Sequence, residues 1–287
     1  MKRRELVVCA GVVASSLAGC LPIDTSPLAE VSVKLRASEL SGGIPSTEMS
    51  DGWEISFERS LLTIHSAGLV STEGTECASS TIADYERVLS LKEGRAQKVA
   101  LLFARGACGF EYMIGPPFEP IDLVLGTGVS RSDLDAMLEA VSNATIAFPG
   151  LFPGRAEFRK FPGFYVEGSA HKGDTEKRFQ WVFGDLPPEP ESACPASRHP
   201  GLHLSTGEKA DVEILAHGEA LFADSSQGGA LSFSRFADAD ADADGFISMA
   251  ELLHAESPDA DTDSLYEHVV SELLAAFTSP SDGLVCL

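Results

Sequence analysis

The chain has 287 residues, and 43 acidic residues against 21 lysines and arginines give it a formal net charge of −22. Because nucleic acid and anionic lipid surfaces repel such a chain, the composition argues against them as partners and favours cations. The length corresponds to one large domain or two small ones.

The N-terminus has the pattern of an export signal. A basic run at 2–4 precedes an apolar run at 6–17, which is too short to span a bilayer as a helix. Small residues then lead into Cys20, which resembles a bacterial lipoprotein signal and implies cleavage after residue 19 and lipidation of Cys20. More than one acyl chain would anchor the protein stably, and Leu21 favours the outer membrane of the bacterial envelope. An ordinary secretory signal is the alternative.

Residues 20–30 are predicted to form a tether, and strands follow from Val31 onward. Alternation of apolar and polar residues indicates strands at 31–35, 53–57, 62–65, 109–115 and 212–216. A nearly unbroken apolar run at 99–105 is typical of a strand covered on both faces.

One helix and one hairpin are expected within this strand-rich region. Ser130 or Ser132 can cap the helix, whose apolar residues recur at helical spacing: Leu134, Met137, Leu138 and Val141. The segments 164–170 and 178–183 flank a turn at 171–174, so they predict an antiparallel β-hairpin.

The twelve residues from Asp240 to Glu251 carry oxygen-bearing side chains in a regular order. Carboxylates stand at positions 1, 3 and 5, glycine at 6, serine at 9 and glutamate at 12, which is the ligand order of an EF-hand calcium loop. The predicted ligands are five side chains and the backbone carbonyl of Phe246: Asp240, Asp242, Asp244, Phe246, Ser248 and Glu251. Gly245 permits the sharp turn, and Ile247 is expected to pair its backbone with a partner loop. An acidic spacer is the alternative.

A second acidic run at 259–267 begins like another calcium loop but has Ser264 where glycine is needed and Val270 at the twelfth place. It is therefore interpreted as the N-cap cluster of a final helix, with a degenerate second site as the alternative. Asp263 or Ser264 would cap this helix, and one of its faces would be apolar: Leu265, Val269, Leu273 and Phe277.

These elements predict a mainly β fold, an antiparallel β-sandwich with one inserted helix, followed by a small α-helical EF-hand segment. The expected order is a signal peptide at 1–19, the tether, the sandwich at 31–227 and the EF-hand segment at 228–287. Four cysteines besides Cys20 predict two disulfides in an exported protein, and we favour the pairs 77–108 and 194–286 among three connectivities: Cys77, Cys108, Cys194 and Cys286.

Two other functions have some support in the sequence. His199, His203 and His217, with Glu219, could hold zinc or copper, although Pro200-Gly201 prevents a helix from aligning the first two histidines. A hydrolase with dispersed carboxylates is the other alternative, but the chain contains no Gly-x-Ser-x-Gly, no His-Glu-x-x-His and no phosphate-binding loop. We therefore expect a protein that is not an enzyme.

The motifs together resemble a family of uncharacterised bacterial envelope lipoproteins. The resemblance rests on the lipoprotein signal, the Asp-Gly-Trp strand at 51–57, the hairpin segment 173–183, the His217-Gly218 pair and the acidic loop at 240–251. It covers most of the mature chain and implies no activity. We expect a calcium-binding, lipid-anchored envelope protein that acts as a structural or interaction module, with an envelope protein as a possible partner.

Overall fold

The computed structural model describes residues 27–71, 76–79, 82–83, 87–114, 124–147, 163–183, 202–224, 229–256, 264–275, 277–279 and 284–285. The predicted signal peptide, most of the predicted tether, and five residues with predicted roles lie outside these ranges: Cys20, Cys194, His199, Asp263 and Cys286. In the part of the chain that the structure describes, no helix has both the length and the apolar character needed to cross a membrane.

Strands make up most of the described structure, as the sequence predicts. They are β1 (Ala29–Ala37), β2 (Gly43–Ile44), β3 (Glu54–Ser71), β4 (Cys77–Ser79), β5 (Ile82–Ala83), β6 (Arg87–Ser90), β7 (Gln97–Ile114), β8 (Val124–Leu125), β9 (Phe164–Lys172), β10 (Thr175–Phe183), β11 (Leu202–Leu204), β12 (Lys209–Ala216), β13 (Ala223–Asp224), β14 (Ala230–Leu231), β15 (Phe246–Ile247), β16 (Phe277–Ser279) and β17 (Leu284–Val285). The α-helices are α1 (Arg131–Ala147), α2 (Ser234–Asp238), α3 (Met249–His254) and α4 (Leu265–Ala275). Two 3₁₀ turns lie at Glu39–Gly42 and Gly218–Phe222.

One large sheet organises the fold, with the strand order β15-β10-β9-β3-β7-β1-β12-β16-β17 along its main path. The two strands predicted at 53–57 and 62–65 are a single strand, β3, and those predicted at 99–105 and 109–115 are a single strand, β7. Register shifts in β3 explain the break in its sequence pattern, because a bulge bends a strand without ending it.

The other local predictions in this region hold. The hairpin is formed by β9 and β10, in which Lys172 pairs with Thr175 and the turn residue Gly173 has a φ of 60°. Helix α1 begins after Ser130, whose Oγ accepts a hydrogen bond from the backbone N of Asp133 at 3.2 Å. Strand β1 begins at Ala29, so the predicted tether ends two residues earlier than expected.

The C-terminal segment shares the sheet and the core of the preceding residues. Strand β15 pairs with β10, and β16 pairs with β12. Ser264 caps α4 through a hydrogen bond from the backbone N of Glu267 at 3.3 Å, as expected. The prediction that Phe277 belongs to the apolar face of this helix is wrong, because α4 ends at Ala275 and Phe277 lies in β16.

Cys77 of β4 and Cys108 of β7 form a disulfide, the first of the two favoured pairs. The two strands are hydrogen-bonded neighbours, with Cys77 opposite Gly106, so the sheet itself brings the two thiols together. The bond closes a sequence separation of 31 residues and attaches the short strand β4 to the long strand β7.

Candidate metal centre

The acidic loop lies between two short helices, α2 and α3. The beginning of α2 is hydrogen-bonded to Asp51, which is far away in the sequence. Oδ2 of Asp51 accepts hydrogen bonds from the backbone N of Phe233 at 2.6 Å and of Ser234 at 2.7 Å, and from Oγ of Ser232 at 2.9 Å. Burial raises the pKa of Asp51, but these hydrogen bonds outweigh it and lower the pKa below its ordinary value. Asp51 thus caps α2 in place of a residue of the helix's own segment.

Aromatic packing fixes this helix against the sheet. Phe233 and Phe236 are fully buried, and the ring of Phe236 lies 5.3 Å from that of Trp181 and 5.4 Å from that of Phe222, centroid to centroid. The Phe179 ring stacks 4.6 Å from Trp181. Buried aromatic rings from β10 and from the 3₁₀ turn at Gly218–Phe222 therefore pack against α2, the helix that leads into the loop.

The middle of the loop is hydrogen-bonded to the main sheet. Ile247 was expected to pair with a partner loop, but β15 instead runs parallel to β10, with Phe246 opposite Arg178 and Ile247 opposite Phe179. The backbone N of Arg178 donates to the carbonyl of Gly245 at 2.8 Å, and the indole N of Trp181 donates to the carbonyl of Ile247 at 3.0 Å. Strand β10 thus supplies the backbone partner that a single loop lacks.

Three carboxylates come together at the start of the loop. Asp240, Asp242 and Asp244 each offer an oxygen, and these oxygens lie within 4.8 Å of one another; we call these residues the loop cluster. Two backbone hydrogen bonds orient the exposed pair, since Oδ1 of Asp242 accepts from the N of Asp244 at 3.2 Å and Oδ1 of Asp244 accepts from the N of Phe246 at 2.6 Å. Gly245 turns the chain with a φ of 82°, as predicted.

Asp240 differs from the other two carboxylates because its side chain is 0% exposed. Its Oδ2 accepts a hydrogen bond from the backbone N of Gly245 at 3.0 Å and forms an ion pair with Nζ of Lys177. The Lys177 ammonium holds the pKa of Asp240 below its ordinary value, against the opposing effect of burial. Its Oδ1 is buried and has no hydrogen-bond partner.

The last two predicted ligands, Ser248 and Glu251, cap α3 in this structure. Oγ of Ser248 accepts from the backbone N of Glu251 at 3.3 Å, and Oε2 of Glu251 accepts from the N and Oγ of Ser248, each at 2.8 Å. Oε1 of Glu251 accepts from the backbone N of Ala241 at 2.9 Å, which links the end of the loop to its beginning. Glu251 is therefore beside the loop cluster but outside it, and bidentate ligation requires it to exchange these hydrogen bonds for metal contacts.

Of the predicted histidine site, His199 lies outside the described residues, and His203, His217 and Glu219 do not come together as a group of metal-ligating side chains. His203 lies in β11, exposed, whereas Nδ1 of His217 is 2.9 Å from Oε1 of Glu219. Oε2 of Glu219 accepts from Oγ of Ser38, which lies 2.9 Å from Oγ of Ser41. Among the residues that the structure describes, the loop cluster is the single group of three or more metal-ligating side chains.

Spacing in the sequence could not reveal Asp51, Lys177, Ser38 or Ser41, because each acts on residues more than 60 positions away. The Ser-x-x-Glu pattern at 248–251 does carry a local signal, that of a capping box, which coincides with the ninth and twelfth places of the loop. A scan against protein-family models, a search of curated proteins and a search of solved structures each gave no match for this chain.

Proposed function

We propose that this chain is a calcium-binding protein of the bacterial envelope, anchored by lipid at Cys20, in which the ion stabilises a structural or interaction module. The observation that supports it best is the Oδ1 atom of Asp240, a buried carboxylate oxygen without a hydrogen-bond partner beside two further carboxylates. A buried carboxylate oxygen without a hydrogen-bond partner costs free energy, and a cation held between the three carboxylates removes that cost.

The donor set favours calcium over a transition metal. The loop cluster offers carboxylate oxygens alone, and hard oxygen ligands suit calcium, whereas zinc and copper prefer imidazole or thiolate. Phe246, Ser248 and Glu251 stand at the places from which an EF-hand supplies its remaining ligands. We therefore also propose that the segment 228–287 works as an EF-hand, with β10 replacing the second hand of a pair.

The expectation of a purely antiparallel sheet is wrong, because β1 pairs with β12 in parallel over eight residues. For the body of the protein we propose a β-sandwich of mainly antiparallel strands. Its support is the length and the bulges of β3 and β7: the first part of β3 pairs with β9 and the last part with β7. A bulged strand that changes neighbours along its length can turn from one layer into another. The sandwich would present a face to another envelope protein.

Calcium titration of the chelated protein tests the central proposal. With a Kd of about 10⁻⁴ M, as in extracellular sites, calcium at about 2 mM should stabilise the fold by about 1.8 kcal/mol. For a chain of this size the melting temperature should rise by about 4–7 °C. Asp240→Asn and Glu251→Gln should each remove most of this rise, while Asp174→Asn in the exposed β9–β10 turn should leave it intact.

Magnesium at equal concentration should not reproduce the effect, because it demands tighter octahedral geometry and dehydrates reluctantly. If calorimetry detects no binding heat up to about 5 mM calcium, beyond the range of the weakest extracellular sites, the loop is an acidic spacer and the proposal fails.

The anchor has its own test. Cys20→Ala should abolish lipidation and move the protein from the membrane fraction to the soluble fraction. The mass of the mature protein measures the lipid directly. Retention of the variant in the membrane fraction with an unchanged mass would contradict the anchor without bearing on the calcium site.

A further inference from the structure

Lys177 of β10 contacts the carboxylate that stands at the first ligand place of the loop. Its Nζ forms an ion pair with Oδ2 of Asp240, and the lysine side chain is only 17% exposed. The strand pairing explains this position, because the residues immediately after Lys177 are hydrogen-bonded to the loop, with Arg178 opposite Phe246 and Phe179 opposite Ile247. An ammonium group from the main sheet therefore neutralises the most buried carboxylate of the loop cluster.

Calcium and this ammonium group compete for the negative charge of one carboxylate. The lysine head group is a compact, strongly hydrated point charge, and it uses an oxygen of the same carboxylate that stands at the first ligand place of the loop. A calcium ion on the unpartnered Oδ1 would place two positive charges across one carboxylate from the Lys177 ammonium, and nearby like charges repel when they are partly buried. Calcium binding is therefore disfavoured while Lys177 stays paired with Asp240.

We propose that Lys177 is an internal competitor for calcium: it pairs with Asp240 in the metal-free protein, lowers the affinity of the loop, and is released to solvent when calcium binds. This inference rests on the proposed calcium function and adds its regulation. The hairpin β9–β10 then differs between the two states, because a side chain that is largely buried without calcium becomes exposed with it.

Substitution of Lys177 by methionine tests the competition, because methionine keeps a similar length and removes the charge. A charge-assisted hydrogen bond no longer has to be broken, so the Kd for calcium chloride measured by titration calorimetry should fall by about tenfold or more. The same variant should melt at a lower temperature than the wild type in chelator, because Asp240 loses its counter-ion. These opposite changes distinguish competition from a merely structural role.

Two further variants serve as controls. Lys177→Arg keeps the positive charge and should keep both the weaker affinity and the higher melting temperature in chelator. Lys98→Met removes one charge from an exposed place in β7, which is separated from β10 by β9 and β3 in the sheet order, so its Kd should match that of the wild type. The difference between the two methionine variants isolates the local effect from the change in net charge.

The wild-type protein provides a test that needs no variant. An amine-reactive label, read by mass spectrometry, should modify Lys177 slowly in chelator and several-fold faster in calcium, while Lys98 reacts equally in both. Lys177 reactivity that calcium leaves unchanged would overturn the proposal even if Lys177→Met failed to fold.

The outcomes separate the two proposals. If the wild type binds calcium and Lys177→Met binds it with the same or a higher Kd, the competition is wrong and the calcium function stands. If neither protein binds calcium up to about 5 mM, beyond the weakest extracellular sites, the calcium function itself fails. If only Lys177→Met binds calcium, the competition is supported. Lys177 then weakens calcium binding by the wild type so far that the titration does not detect it.

Discussion

Two groups of side chains in this protein each contain a largely buried carboxylate, and the two carboxylates are hydrogen-bonded in different ways. The Glu219 cluster, which comprises Ser38, Ser41, His217 and Glu219, uses both oxygens of its carboxylate, one facing the imidazole and one accepting from a hydroxyl. The loop cluster has one carboxylate with a buried oxygen that has no partner, and a lysine on the other oxygen. One carboxylate is fully hydrogen-bonded by the fold, and the other is not.

The difference indicates which group has a role beyond the fold. A polar network whose members are all hydrogen-bonded to one another makes a structure more rigid. The Glu219 cluster joins the end of β1 to the 3₁₀ turn at Gly218–Phe222. Ser38 donates to Glu219, and the backbone N of Gly218 donates to Ser41. A buried oxygen without a partner needs an explanation, and the proposed ion would supply one. We therefore expect changes in the first group to affect stability alone, and changes in the second to affect the response to calcium.

The largest effect should come from the residue that supports both groups. Phe222 closes the 3₁₀ turn that carries Glu219, and it packs on the rings of Phe233 and Phe236, which belong to the start and the middle of the helical turn before the loop. Phe222→Ala should lower the free energy of unfolding by about 3–5 kcal/mol, because it leaves a cavity in a buried aromatic group. Chemical denaturation measures this, and Val124→Ala, at a side chain that is 44% exposed, should change it by no more than about 0.5 kcal/mol.

Glu219→Gln separates the two groups. The amide cannot accept from both the imidazole and Ser38, so the free energy of unfolding should fall by about 1–3 kcal/mol, whereas Glu139→Gln on the exposed face of α1 should leave it unchanged. The rise in melting temperature on adding calcium should be the same as in the wild type. Loss of that rise in Glu219→Gln would show that the two groups are coupled.

Asp51→Ala should have a smaller effect, confined to the start of the loop. The backbone N–H groups of Phe233 and Ser234 lose their acceptor, and loss of an N-cap costs about 0.5–2 kcal/mol. Asp51→Asn keeps an acceptor oxygen and should recover part of the loss. Thermal unfolding in chelator measures both, and a wild-type melting temperature in Asp51→Ala would contradict the capping role.

The smallest expected effect is the loss of stability at acidic pH that comes from protonation of Glu219. Burial raises the pKa of Glu219, but hydrogen bonds from His217 and Ser38 outweigh it and hold the pKa below 4.5, its ordinary value. Because the folded state binds this proton more weakly than the unfolded state, the stabilisation is complete above about pH 4.5 and is lost as the pH falls through the lower, folded pKa. Urea unfolding at several pH values should show the difference between the wild type and Glu219→Gln shrinking below pH 4.5; a difference that stays constant with pH would refute this.

The predictions that the structure confirms came from patterns among residues close together in the sequence. Helix α1 and its cap at Ser130 follow from residues three and four apart, and the β9–β10 hairpin follows from alternation around a glycine turn. The aspartates of the loop cluster were found because calcium loops take their ligands at fixed spacing.

Distant contacts account for what the sequence could not reveal. Asp51 caps a helix 183 residues away, and Lys177 meets Asp240 across 63 residues, so no window of the sequence contains both partners. The bulges in β3 interrupt the alternation of apolar and polar residues in the same way as a turn does. One strand was therefore predicted as two. Phe277 continued the helical spacing of α4, but pairing with Ala216 of β12 places it in a strand.

Strand β15 closes one end of the main path of the sheet with only two residues. An exposed sheet edge is a template for pairing with other chains, and short or charged edge strands are the usual protection against it. Here the edge of β10 is covered by a loop that carries three carboxylates within a few residues of β15. Detachment of the acidic loop from β10 is therefore expected to expose part of a strand edge to self-association and, at the same moment, to dismantle the proposed ion site.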